Sequence, residues 1–170
     1  MLAPTSPPAA PGITRPAMRL RLLYVGTLQH SSAWLREALA REPSFRVELR
    51  EAVGATAALA ELREQPCDAV LLTHQPGVLD GLGLAESLRL AGHSEPLLVL
   101  GTQHPTEVEA DVLEAGADAY LCLALTTPRS LLWTLTRARE RWELQRENRL
   151  LLQAQQLSDG ADNLYHLSDR

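Results

Sequence analysis

The sequence predicts an α/β protein, with a five-stranded parallel sheet covered by helices on both faces. Three observations lead to this fold class. Five short strand-like segments alternate along the 170 residues with five helical ones, and this alternation requires a parallel sheet with helical crossovers. Four of the five strand-like segments are continuously apolar, as strands buried on both faces are. The length suits one domain with extensions.

The predicted strands are short apolar runs that end at a glycine or a polar turn. They cover residues 20–25, 45–49, 68–72, 96–101 and 119–123. The run from Phe45 to Leu49 alternates apolar and charged residues. Because alternation is typical of a strand with one wet face, we predict that this strand lies at the edge of the sheet.

The helical segments are recognised by apolar spacing and by their caps. They cover residues 31–42, 55–65, 82–90, 106–115 and 128 onwards. Ser31 and Ser32 are candidate caps of the first helix, and Thr106 with Glu109 has the spacing of a capping box. Thr127 precedes Pro128, which predicts a cap followed by proline at the first helical position.

Composition excludes several classes of function. The chain has 16 Arg, no Lys and a net charge of -5, so every mechanism that needs a lysine ammonium is excluded. The acidic balance argues against nucleic-acid binding. No apolar run is long enough for a membrane span, and no signal peptide is recognisable, so we expect a cytoplasmic protein. Cys67 and Cys122 are interpreted as buried, reduced thiols.

The composition also divides the chain into three regions. Residues 1–17 contain five Pro and predict a disordered tail. Residues 18–140 form the predicted domain, and residues 141–170 form a helical extension or linker.

The stretch from 19 to 139 resembles the receiver domain of two-component response regulators. The segment 68–72 is similar to the strand before the family's phosphoacceptor, and Asp80-Gly81-Leu82 matches the loop before its third helix. The segment 96–100 matches the fourth strand, and 115–121, Ala-Gly-Ala-Asp-Ala-Tyr-Leu, is close to the family's most recognisable string. The resemblance implies a flavodoxin-like sheet of strand order 2-1-3-4-5.

The five positions that carry the family's chemistry are all replaced. The family uses two carboxylates for Mg²⁺, an Asp that accepts the phosphoryl group, a Thr or Ser, and a Lys. By the resemblance these positions fall on Gly26, Thr27, Thr73, Gly101 and Leu123. Mg²⁺ prefers carboxylate and water oxygens, and a leucine cannot neutralise phosphoryl charge. We therefore expect a degenerate receiver, or pseudo-receiver, without catalytic residues, metal or cofactor.

Two further features point to contacts with other proteins. Tyr120 matches the family's aromatic switch position and is interpreted either as a switch residue or as an aromatic packed at the sheet edge. In the last helix, which we predict to run to about residue 157, Trp142 should end the contact with the domain. Beyond it, Leu144, Asn148 and Leu151 have the 4-then-3 spacing of a coiled-coil seam. Residues 129–157 contain six Arg and three Glu, a net +3, and residues 164–170 resemble the approach to a diguanylate cyclase domain.

These features predict a non-enzymatic signalling module that acts by protein–protein contact, with a homodimer as the expected assembly. Its protein partner or output domain is not identified by the sequence. The alternative is a small-molecule sensor that uses the vacated site, whose lining would include His74. A metal site formed by His30, His74 and His104 is a weaker alternative, because no spacing motif supports it.

Overall fold

The computed structural model describes residues 17–27 and 32–167. Residues 1–16 of the predicted tail, together with His30 and Ser31, lie outside the described residues. The strands are β1 Met18–Gly26, β2 Phe45–Val53, β3 Ala69–Thr73, β4 Leu97–Gly101 and β5 Ala119–Cys122. The helices are α1 Ala33–Ala40, α2 Gly54–Glu64, α3 Gly81–Leu90, α4 Pro105–Glu114 and α5 Pro128–Leu167.

The five strands form one parallel sheet in the order β2-β1-β3-β4-β5. The fold class and the strand order are therefore confirmed, and so is the edge position of β2. This strand is four residues longer than predicted, since its pairing with β1 continues to Val53 opposite Gly26. The charged residues Arg50 and Glu51 do not end the strand, because a strand at the edge of a sheet can keep charged side chains in contact with water.

Two apolar cores lie on opposite faces of the sheet. One packs α2, α3 and α4 against residues such as Leu23, Val70 and Val99. The other packs α1 and α5 against residues such as Leu22 and Leu98. Both central strands, β3 and β4, are buried along their whole length, which explains their continuous apolar sequence.

Helix α5 is one continuous helix that reaches Leu167, ten residues past the predicted end. Its start is as predicted: Thr127 Oγ1 accepts from Ser130 N at 3.1 Å, and Ser130 Oγ accepts from Thr127 N at 2.9 Å. Leu131, Leu132 and Leu135 are almost fully buried against the sheet. Within the described residues no helix is both long enough and apolar enough to cross a lipid bilayer.

Of two predicted caps, the one at α4 is wrong and the one at α1 is confirmed in position only. Helix α4 begins at Pro105 with His104 as its N-cap, so Thr106 and Glu109 do not form a capping box; the proline at the first helical position sets the start instead. Helix α1 has Ser32 as N-cap, but this side chain makes no capping bond. Its hydroxyl donates to Glu51 on β2 at 2.8 Å.

The string at 115–121 has a structural explanation. Gly116 has a φ of +82°, and a Cβ there would lie 2.9 Å from Cγ of Arg89. Arg89 Nε donates to the Gly116 carbonyl at 2.8 Å, and its Nη2 donates to Asp118 Oδ2 at 3.1 Å. The same Asp118 oxygen accepts from the Leu97 amide at 2.8 Å. Arg89 and Asp118 together join α3, β4 and the start of β5.

Candidate functional site

The fold brings the five predicted site positions to one edge of the sheet, which we call the carboxyl edge because the strands end there. Gly26, Thr73 and Gly101 are the last residues of β1, β3 and β4. Thr27 follows β1 directly, and Leu123 is the first residue after β5. In parallel α/β sheets this edge is where ligands bind, at the point where the strand order reverses.

The hydroxyl of Thr73, where the resemblance places the phosphoacceptor, is already hydrogen-bonded. Thr73 is 8% exposed, and its Oγ1 donates to the hydroxyl oxygen of Tyr24 at 3.0 Å. Tyr24, on the neighbouring strand β1, is itself 2% exposed. A buried hydroxyl pair of this kind satisfies two polar groups inside an apolar core. It makes Thr73 a structural residue in this conformation.

The donor set at this edge does not fit Mg²⁺. The cation takes near-octahedral oxygen ligands and is normally held by one or two carboxylates. Gly26, Thr27 and Thr73 supply no carboxylate. In the described part of the chain, no group of three or more His, Cys, Asp or Glu side chains is placed to hold a metal ion.

Gly101 provides the space that the ring of Tyr120 occupies. A Cβ built on Gly101 would lie 2.5 Å from the Tyr120 hydroxyl oxygen and 3.0 Å from its Cε2. The ring packs against the core beneath α3 and α4, and the hydroxyl donates to the Gln103 carbonyl at 2.9 Å. Burial raises the pKa of Tyr120. The aromatic side chain therefore lies inward, over the end of β4, with its hydroxyl bonded.

His74 lies beside this edge with an unsatisfied ring nitrogen. Its Nδ1 is buried without a hydrogen-bond partner and lies 3.9 Å from Asp80 Oδ1, which is too long for a hydrogen bond. Asp80 instead caps α3 by accepting from the Gly83 amide at 3.0 Å. The next residue, Gly81, has no room for a side chain, because a Cβ there would lie 2.7 Å from the Thr73 carbonyl oxygen. The alternative of a metal site formed by three histidines stays untested, because His30 lies outside the described residues.

Leu123, where the resemblance places the family's lysine, makes an apolar contact. Its amide donates to the Gly101 carbonyl at 2.8 Å, and its side chain packs against the core between α1 and α5. A cavity of about 30 Å³ beside it is lined also by Trp34, Leu100 and Leu131. This volume holds about one water molecule. Pockets that take small organic ligands usually measure about 300–1,000 Å³.

The predicted interface residues on α5 lie where the helix leaves the domain. The Trp142 indole nitrogen donates to Ser94 Oγ at 3.3 Å, and the Arg146 guanidinium lies 5.5 Å from the centre of the Trp142 ring. Leu144 and Leu151 are 61% and 63% exposed, and Asn148 between them is also exposed. Trp142 thus contacts the domain, whereas Leu144, Asn148 and Leu151 are exposed to solvent.

Tyr24 is the site residue that sequence reasoning missed. A signal for it existed, since a tyrosine inside a strand buried on both faces needs a partner for its hydroxyl. The partner lies 49 residues away, and only the register of β1 against β3 brings the two hydroxyls together. Glu51 was missed for the same reason: it accepts from both the amide and the hydroxyl of Ser32 at the start of α1.

The solved structures that the chain resembles are response regulator receiver domains. The receiver domain of the Francisella response regulator 1452 is 18% identical, with a TM-score of 0.61 over 72% of this chain and 98% of that one. A CheY-like response regulator receiver domain protein from Methanospirillum hungatei is 21% identical, with a TM-score of 0.60 over 76% and 99%. NtrX from Brucella abortus is 23% identical, with a TM-score of 0.65 over 79% of this chain and 30% of NtrX.

No protein-family model matches the sequence, and no curated protein does. At these identities the likeness concerns the fold. The strand order and the placement of the helices around the sheet agree with it. The chain therefore has the fold of a response regulator receiver domain.

Proposed function

We propose that this chain is a signal-transduction module that acts by protein–protein contact and without aspartyl phosphorylation. Its place would be the regulatory part of a two-component, phosphorelay or cyclic-di-GMP signalling protein. The observation that carries the proposal is the Thr73 hydroxyl, buried and bonded to Tyr24 at the position of the phosphoacceptor. A neutral hydroxyl in this state is not an activated nucleophile, since it donates its proton to another hydroxyl rather than to a base.

The loss of the chemistry extends to the groups around Thr73. No carboxylate is available at Gly26 and Thr27 to hold Mg²⁺. Leu123 offers no positive charge to a transferring phosphoryl group. The module is accordingly proposed to be non-enzymatic.

Homodimerisation is the proposed mode of contact, through the surface of α4, β5 and α5 and through the projecting half of α5. Helix α4 has four exposed carboxylates and no basic residue: Glu107, Glu109, Asp111 and Glu114. Helix α5 exposes Arg129, Arg137 and Arg141. Opposite charges on two helices of one chain favour contact between two copies, because each copy presents both signs.

The test of phosphorylation independence is titration with Mg²⁺ and beryllofluoride, monitored by amide chemical shifts. We expect no saturable shift at the residues of the carboxyl edge. The variant Thr73→Val, which removes the hydroxyl but keeps the shape, should give the same result. Saturable binding in the parent chain that disappears in Thr73→Val would refute the proposal.

The sensor alternative is less well supported by the geometry. Of the vacated positions, only Leu123 lines the cavity of about 30 Å³, and the Tyr120 ring occupies the space at the end of β4. Protein contact needs no such cavity, and it is therefore the function that we put forward.

A further inference from the structure

The projecting half of α5 has a second apolar stripe, which differs from the seam predicted from sequence. Helix α5 continues for 25 residues after Trp142, about 37 Å at 1.5 Å per residue. Leu157 is 76% exposed there. Leu150 is 57% exposed, and it also lines the groove that α5 forms with Pro66 and Cys67 of the domain. Single exposed leucines are common on protein surfaces, but their spacing here is regular.

The spacing follows a heptad over two full repeats. Leu150, Leu157 and Leu164 are seven residues apart, and Ala154 and Ala161 each follow a leucine by four residues. We call these five positions the Leu150 seam. By their spacing in the sequence the five occupy alternating core positions of one heptad series. Leu150, Ala154 and Leu157 are the three whose side chains the structure describes, and all three are exposed. Ala161 and Leu164 enter through the extension of α5 beyond residue 157.

The seam predicted from Leu144, Asn148 and Leu151 does not continue in this way. Its next three core positions are Gln155, Ser158 and Asp162. A coiled-coil seam needs apolar residues at most of its core positions. The two series lie on different sides of the same helix, so a partner helix that covers one leaves the other exposed.

We propose that the Leu150 seam is the surface through which a second copy of this chain pairs with α5. The identification rests on the dimerisation included in the proposed function and specifies its contact. A heptad series of leucine and alanine is self-complementary, since an identical helix presents the same residues at the same spacing. Residues 144–167 contain two Arg against three acidic residues, Glu147, Asp159 and Asp162, a net -1. Two copies of this segment therefore repel each other little, unlike two copies of a strongly charged helix.

The small residues also favour a homotypic pair. Alanine at alternate core positions lets two helix backbones approach closely, and the leucines of each copy then fill the space beside the alanines of the other. Leu157 is the central residue of the seam and meets its own counterpart whether the two helices run parallel or antiparallel. It is therefore the position at which a substitution tests the seam most directly.

The experiment measures the dimer dissociation constant of the full chain by light scattering and sedimentation across a concentration series. We compare Leu157→Asp with Leu151→Asp, a matched control that makes the same substitution at a similarly exposed leucine of the other series. We expect Leu157→Asp to weaken the dimer at least tenfold and Leu151→Asp to leave it unchanged. Circular dichroism checks that both variants keep the helix content of the parent.

Three results would overturn the seam. A dimer weakened by Leu151→Asp and not by Leu157→Asp would assign the contact to the other series. A parent chain that is monomeric at every concentration would show that no second copy binds the seam. A chain that dimerises only after residues 1–16 are deleted would show that its own amino-terminal segment covers the seam. None of these results bears on beryllofluoride binding, so a failed seam is distinguishable from a failed claim of phosphorylation independence.

Discussion

The variant Gly101→Ala tests whether the empty space at the end of β4 determines the position of Tyr120. Gly101 has no positive φ, so its backbone accepts alanine and only the new methyl group is at issue. That methyl would stand 2.5 Å from the Tyr120 hydroxyl oxygen, 3.0 Å from Cε2 and 3.1 Å from Cζ. These distances are far below van der Waals contact, so the ring must move.

The expected cost combines three terms. Overpacking a buried site costs about 1–3 kcal/mol, and losing the hydrogen bond from Tyr120 to the Gln103 carbonyl costs about 0.5–1.5 kcal/mol. Replacing glycine by alanine returns about 0.4–1 kcal/mol by restricting the unfolded chain. We expect Gly101→Ala to lower the free energy of unfolding by about 1–3 kcal/mol, measured by urea denaturation.

A double-mutant cycle provides the control. In the background Tyr120→Ala the methyl group meets no ring, so Gly101→Ala should cost less than about 0.5 kcal/mol there. Tyr120→Phe removes the oxygen at 2.5 Å but keeps the two ring carbons, and it should give an intermediate result. Equal costs of Gly101→Ala in the parent and in Tyr120→Ala would refute the reasoning.

Three further predictions concern other parts of the chain. Arg89→Ala should lower the free energy of unfolding by about 2–4 kcal/mol, since it removes the donor of three backbone carbonyls and of the Asp118 carboxylate. Arg41→Ala, whose pair with Glu37 is exposed, should cost under about 0.5 kcal/mol. Equal costs would contradict the structural role of Arg89. Burial raises the pKa of the Cys67 thiol from 9.0 to about 12. The contribution that the neutral thiol makes to folding stability is therefore fully present below pH 9 and is lost as the pH rises from 9 to 12. Cys67→Ala should therefore lose less stability over that pH range, and identical slopes would refute this. A chain that ends at Arg139 should be monomeric by light scattering under conditions in which the full chain dimerises.

Most of the fold could be predicted from local patterns. The central strands are buried on both faces, so continuous apolar runs such as 96–101 mark them without tertiary information. The extent of β2 and the start of α4 could not be predicted equally well. At α4 two local signals compete, a proline at position 105 and a capping-box spacing from Thr106, and nothing in the short sequence decides between them.

The site was predictable in position and not in its contacts. The resemblance located Thr73 and Gly101, because landmark strings flank both. The bond from Thr73 to Tyr24 and the contact of Tyr120 with Gly101 depend on how distant segments pair. The second contact shows why a missing side chain is informative: a glycine in an ordinary strand conformation marks a place where another residue fills the space.

Because α5 is one continuous helix, the direction in which each residue after Trp142 points is fixed relative to the sheet. Each residue turns an α-helix by about 100°, so one residue inserted after Trp142 would rotate the Leu150 seam by about that angle relative to the sheet and move it by about 1.5 Å. An insertion of seven residues would nearly restore the phase and only lengthen the projection. The spacing between Trp142 and Leu150, more than the identity of the residues between them, therefore determines in which direction two paired domains face.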